Sequence, residues 1–119
     1  MIEVVWEILV KQKGQGKLEL VYGPGGAWSK LIGKSPGFRG TTVLHDTHNG
    51  QRYLIIDLWD TELQQEQALS EHAEGYARLN TDLENWTESR LELGVFRVRA
   101  EATVRPHGNP SRRSRGTSR

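Results

Sequence analysis

The stretch at residues 2–10, IEVVWEILV, is apolar on both sides of a strand, and this limits the folds open to the chain more than any other feature. Its β-branched content and alternation read as a strand. Ile2, Val4, Trp6, Ile8 and Val10 share one face, and Val5 and Leu9 lie on the other with Glu3 and Glu7. Two further strands, 38–48 and 51–59, flank Asn49-Gly50 and are also apolar on both faces. Asn-Gly is the strongest two-residue hairpin signal, because a type I′ turn needs positive φ at both central positions. A turn there sets Leu44 opposite Ile55, Val43 opposite Ile56 and Thr42 opposite Asp57. One face of the hairpin then carries Val43, His45, Leu54, Ile56 and Leu58. The other carries Leu44, Tyr53, Ile55, Asp57 and Trp59. One layer of helices can cover only one face of such a sheet, and a bare apolar face marks a partner surface.

The segments between the strands supply those helices. From Lys17 the apolar spacing is helical through Leu18, Val21, Tyr22, Trp28, Leu31 and Ile32. Gly23-Pro24-Gly25-Gly26 interrupts it, predicting two short helices or one broken helix ending before Pro36-Gly37. Thr61-Glu62-Leu63-Gln64 is a capping box that opens a helix with the stripe Leu69, Ala73, Tyr76 and Leu79. A second box, Thr81-Asp82-Leu83-Glu84, predicts a separate short helix from about Asn80. The last strand falls at 90–98, with Gly94 at a bulge or a close-approach point. The order β-α-β-β-α-β predicts an α+β, ferredoxin-like fold with a four-stranded antiparallel sheet covered by helices on one face. Two such sheets packed face to face would bury both bare faces, which predicts a homodimer.

Composition removes several function classes. The 119 residues include no cysteine, so disulfides, thiolate metal sites and cysteine nucleophiles are excluded. No apolar run approaches the ~20 residues that span a bilayer. The opening Met-Ile-Glu-Val-Val-Trp-Glu lacks the basic n-region of a secretory signal, so a cytoplasmic protein is expected. Charge is unevenly placed. Residues 105–119 hold five arginines and no acid, whereas residues 1–104 hold eleven basic and fifteen acidic residues, a net of −4. The expected division is a folded domain at 1–104 and a disordered basic tail at 105–119, too poor in apolar surface to offset its ordering entropy. The tail could bind phosphate backbones non-specifically. A nucleic-acid interface should also show a basic patch within the folded part, which argues against that role.

Three motifs in their order carry a resemblance. SPGFRGTTVL at 35–44, YLIIDLWDT at 53–61 and TESRLELGVFRV at 87–98 are similar to the second-strand entry, third strand and last strand of the antibiotic biosynthesis monooxygenase domain family. The likeness spans roughly residues 1–98. It implies a dimeric α+β barrel. Members include cofactor-independent oxygenases of anthrones and quinols, haem-degrading enzymes and proteins of unknown role. The haem-degrading pattern needs an asparagine on the first strand, and none occurs in residues 2–10. It also needs a tryptophan and a histidine on the second helix, where Ala68 and Ala77 stand instead. Quinol-oxidising relatives often carry a histidine about where Ala68 lies, and here His72 comes one turn later.

The chemistry the resemblance implies can be stated in residues. A phenolate or enolate can pass an electron to molecular oxygen, so no cofactor is required. The protein must supply a base or hydrogen bond and a dry, aromatic-walled pocket. His72, Tyr76 and Asp57 are the catalytic candidates, and Trp59, Trp28 and Trp6 the substrate-binding ones. Each also has a plainer reading, and in each case that reading is the stronger. His72 is then a boundary histidine, Tyr76 a core tyrosine with a satisfied hydroxyl, and the tryptophans packing anchors. Asp57, inside an apolar strand, is either paired with Arg39 or Arg52 or poised as a base. His45 and His48 are poor candidates. No metal-ligand spacing and no phosphate-loop context occurs. The expected function is a small cofactor-independent monooxygenase acting on an oxidisable planar aromatic (a quinol, anthrone or polyketide phenol). A non-catalytic ligand-binding or structural dimer on the same barrel is the alternative, and nucleic-acid association through the tail a distant third.

Overall fold

The computed structural model describes residues 1–102; the expected tail at 105–119 lies outside the described residues. Strands β1 (Ile2–Val10), β2 (Phe38–His45), β3 (Arg52–Trp59) and β4 (Thr87–Arg97) form one antiparallel sheet in the order β2-β3-β1-β4. Each helical position of the ferredoxin-like order is divided in two. Helices α1 (Lys17–Tyr22) and α2 (Ala27–Ile32) follow β1, and α3 (Glu62–Glu71) and α4 (Ala73–Glu84) follow β3. The glycine-rich break between α1 and α2 falls where the sequence placed it, because Gly23, Pro24 and Gly25 cannot sustain a helix.

The core forms where the helices meet the sheet. Ile2, Val4, Ile8 and Val10 of β1 and Tyr53, Ile55 and Trp59 of β3 are buried against Leu18, Trp28, Ile32, Ala68, Leu79 and Leu83. Each fully buried aliphatic side chain contributes about 1.5–3 kcal/mol. Half of the Thr61 capping box forms: the Thr61 hydroxyl accepts from the Gln64 backbone amide at 3.1 Å, while the Gln64 side-chain oxygen accepts from that hydroxyl at 3.0 Å instead of from the Thr61 amide. The bulge at Gly94 also forms, with φ 156° and a register shift in β1–β4 pairing that leaves Leu93 without an opposite residue.

Three expectations are corrected. The hairpin does not close through a two-residue type I′ turn. Asn49 Oδ1 accepts from the Gln51 amide at 3.0 Å, and Asp46 Oδ1 accepts from the His48 amide at 2.8 Å. These local turns replace the tight one, Gly50 does not have positive φ, and the strands end at His45 and Arg52. The register slips by one residue, so Thr41, not Thr42, faces Asp57, Val43 faces Ile55 and Leu44 faces Leu54. Because side chains alternate, the slip moves Val43 and His45 onto the helix side and Leu44 onto the bare side.

The second helical segment breaks at His72 rather than near Asn80. The Thr81 hydroxyl donates back to the Ala77 carbonyl at 3.1 Å, so the second capping box is not used and α4 runs through it. The break turns Ala73 outward to solvent, and the buried positions become Ala68, Leu79 and Leu83. Finally, β4 begins three residues early, at Thr87, whose hydroxyl donates to the Leu83 carbonyl at 2.8 Å and joins α4 to the strand.

Candidate functional site

Asp57 is the one carboxylate among the buried polar residues of the described chain, only 6 % exposed. It lies in β3 between Ile55 and Trp59 on the helix side of the sheet. Neither arginine expected as its partner reaches it. Arg39 pairs with Asp60 at 2.6 Å, and Arg52 bridges Glu7 at 2.7 Å and Asp46 at 3.1 Å. The donors to Asp57 are neutral. The Trp28 indole Nε1 donates to Oδ1 at 2.9 Å, and the Thr41 hydroxyl donates to the same oxygen at 2.5 Å. Among the described residues no donor serves Oδ2. Burial pushes the pKa of Asp57 above the ordinary aspartate value, and the hydrogen bonds from Thr41 and Trp28 only partly oppose it.

The walls are aromatic. Trp28 sits between Tyr22, at 6.0 Å between ring centroids, and Tyr76, at 5.8 Å. Two small cavities share Trp6, Trp28, Asp57 and Tyr76. One of about 30 Å³ also touches Tyr22, Ile8, Ile55 and Arg90; one of about 60 Å³ also touches Trp59, Val4, Leu69, Gln65 and Glu92. Trp59 packs edge-on to Phe38, with centroids 5.1 Å apart. The structure therefore gathers Asp57, Tyr76, Trp6, Trp28 and Trp59 around the same internal space. His72 stands apart. Half-buried at the break between α3 and α4, it gives its backbone amide to the Ala68 carbonyl at 3.0 Å and lines neither cavity.

Several neighbours escaped the reading of the sequence. Thr41 was hidden by the one-residue register slip. Tyr22 was read as a core position of the first helix; its phenol is pushed up chiefly by burial, and nearby Arg90 opposes the shift. Arg90 and Glu92 bring charge to the cavity edge from β4, where they lie opposite Ile8 and Trp6. The only signal for them was alternation within RLELGVFRV, which puts both on the helix side of the sheet.

With the geometry in hand, comparison with known proteins locates the fold. No protein-family model and no curated protein sequence matches the chain. Solved structures do. A single-residue variant of SnoaB, a cofactor-independent oxygenase from Streptomyces nogalater, superposes with TM-score 0.70 at 20% identity, covering 84% of this chain and 94% of that one. MhuD, a heme-degrader from Mycobacterium tuberculosis, matches with TM-score 0.64 at 18% identity over 87% of this chain and 100% of that one. An antibiotic biosynthesis monooxygenase matches with TM-score 0.51 at 15% identity over 79% of this chain and 97% of that one. The chain has the fold these proteins share, as the three sequence motifs implied.

Asp57 makes stability depend on pH in a defined direction. The folded protein holds the Asp57 proton more tightly than the unfolded chain, so the contribution is greatest below the ordinary aspartate value of about 3.9. It is lost as pH rises toward the raised folded value. Asp57→Asn keeps the Oδ1 acceptor for Trp28 and Thr41 and has no proton to lose. Urea unfolding of both proteins from pH 4 to pH 8 should show the variant gaining relative to the wild type as pH rises. A variant that is steadily less stable at high pH would mean the ionised carboxylate is held favourably.

Proposed function

We propose that this chain is a cofactor-independent monooxygenase acting on an oxidisable planar aromatic, a quinol, anthrone or polyketide phenol. The observation that carries the reading is Asp57: a buried carboxylate without a cationic partner, set among Trp6, Trp28, Trp59 and Tyr76. A carboxylate of raised basicity in a water-poor, aromatic enclosure is suited to removing a proton from a weakly acidic hydroxyl or enol. The resulting anion passes an electron to oxygen. Recombination of the two radicals forms a carbon–oxygen bond, and the hydroperoxide, reprotonated from Asp57, loses water to leave a carbonyl. The Tyr76 hydroxyl, whose ring lines both small cavities, is assigned to steadying the superoxide formed there. The two cavities have room for one and two molecules the size of water or dioxygen, at about 30 Å³ of liquid-like space for each. Among the described residues no histidine lines them, so an iron porphyrin would meet no imidazole ligand there.

The second reading, a non-catalytic ligand-binding or structural dimer, draws on the same small volumes and on the bare sheet face. That face carries Val5, Leu54, Ile56 and Leu58, half-buried, and the exposed Leu44, Leu91 and Phe96, the last 52 % accessible. A homodimer through this face belongs to both readings.

Oxygen consumption with anthrone separates them. Asp57→Asn should lower turnover by roughly 100-fold or more, the scale of a lost general base, and Tyr76→Phe by about 100-fold. A fully active Asp57→Asn protein would contradict the assignment, and a comparable loss confined to His72→Ala would move the base to His72. Sedimentation should give a dimer at micromolar concentration, converted to monomer by Ile56→Lys combined with Phe96→Glu. A wild-type monomer at that concentration would remove the sheet-face interface.

A further inference from the structure

The internal cavities are too small for an aromatic ring, yet a groove of substrate size lies immediately beside them. Its volume is about 320 Å³, within the range of about 300–1,000 Å³ for small-molecule sites. One wall is the end of α1 with the Gly23-Pro24 turn, and the other is the start of β2. Tyr22, Pro24, Phe38 and Val43 make its sides apolar, and Glu19 stands exposed at its rim. The β2 bulge shapes it. Register shifts between Phe38 and Gly40, Gly40 takes φ 138°, and a side chain there would project into open space. A bulge of this kind re-aims the residues that follow it, and the next residue is Thr41.

Thr41 joins groove and carboxylate. It lines the groove, and its hydroxyl donates to Asp57 Oδ1 at 2.5 Å. Tyr22 lines both the groove and the smaller cavity, so one aromatic ring forms the wall between them. We propose that this groove binds an uncharged planar phenol and that Thr41 relays the phenol's proton to Asp57. In the relay the substrate hydroxyl gives its proton to Thr41 Oγ1 as the Thr41 proton moves to Asp57 Oδ1. One phenolate and one neutral carboxylic acid result, with no change of oxidation state. Threonine needs no altered ionisation for this, because a hydroxyl donates and accepts at once. Glu19 sets the ligand class: its carboxylate opposes a ligand bearing an acid group and favours a neutral one. The relay rests on the oxygenase reading; the groove as a binding site does not.

The test follows backbone amides of the full chain by NMR during titration with naphthol. Shifts should centre on Gly23, Gly40, Thr41 and Val43, and Val43→Trp, which fills the groove, should weaken binding by at least about tenfold. Hydroxynaphthoate should bind about tenfold more weakly than naphthol, and Glu19→Gln, a surface change that leaves the core intact, should abolish that difference. Shifts centred on Leu31, Gly75 and Arg78, at the groove between α2 and α4, would overturn the proposal, as would equal binding of the two probes. For the relay, Thr41→Val should reduce anthrone turnover roughly 100-fold with naphthol affinity nearly kept, and Thr41→Ser should restore it. If naphthol fills the groove but the wild type consumes no oxygen, the oxygenase reading falls and the site stands. If turnover persists in Val43→Trp, the groove falls and the oxygenase reading stands.

Discussion

One oxygen atom, Asp57 Oδ1, ties together three separate elements of this molecule. Trp28 reaches it from α2, Thr41 from β2, and Asp57 itself belongs to β3. A carboxylate taken out of water without a cation would be costly to ionise. Here both of its donors are neutral, so the fold tolerates the group by keeping its proton affinity high rather than by cancelling its charge. The same bonds fix the indole of Trp28, and that ring positions Tyr22 and Tyr76 on its two sides. Packing and chemistry therefore depend on one group.

How much of this was legible depended on the range of the signal. The element order, the break at Gly23–Gly26, the Thr61 cap and the Gly94 bulge rest on local chemistry, and each is realised. The expectations that moved rest on competition between local options. Asn49 and Asp46 each spend a side-chain oxygen on a nearby amide, which lengthens the loop and slips the register by one residue. The register of a tight Asn-Gly turn puts Thr42 opposite Asp57, and so concealed Thr41. Likewise Thr81 had two partners for its hydroxyl, and the carbonyl of Ala77 prevailed over the cap. His72 was a candidate because it stands one turn after Ala68, where quinol-oxidising relatives often carry a histidine. It falls at the break between α3 and α4 and lines neither cavity, whereas Tyr76, whose amide donates to the His72 carbonyl at 2.8 Å, lines both.

The arrangement divides the work by volume. Spaces of about 30 and 60 Å³ beside Asp57 suit a diatomic gas, whereas the groove of about 320 Å³ outside Thr41 suits a ring. With the ring outside, Asp57 stays buried, which is what raises its proton affinity, and in the proposed relay the Thr41 hydroxyl carries the proton between them. The register shifts of the sheet fall on β2 and β4, its edge strands, and the β2 bulge opens the groove. On the opposite face no helix of the described residues intervenes, leaving the apolar surface through which we propose the homodimer.

The central claim is that Asp57 exchanges a proton in the working range of the protein. Carbon-13 NMR of aspartate-labelled chain, with the Asp57 signal identified by its loss in Asp57→Asn, measures this directly. Asp57 should titrate above the ordinary aspartate value of about 3.9, and the same midpoint should govern the pH dependence of kcat/KM for anthrone oxidation. A carboxyl carbon that titrates at or below that value, or a rate profile indifferent to its midpoint, would contradict the account.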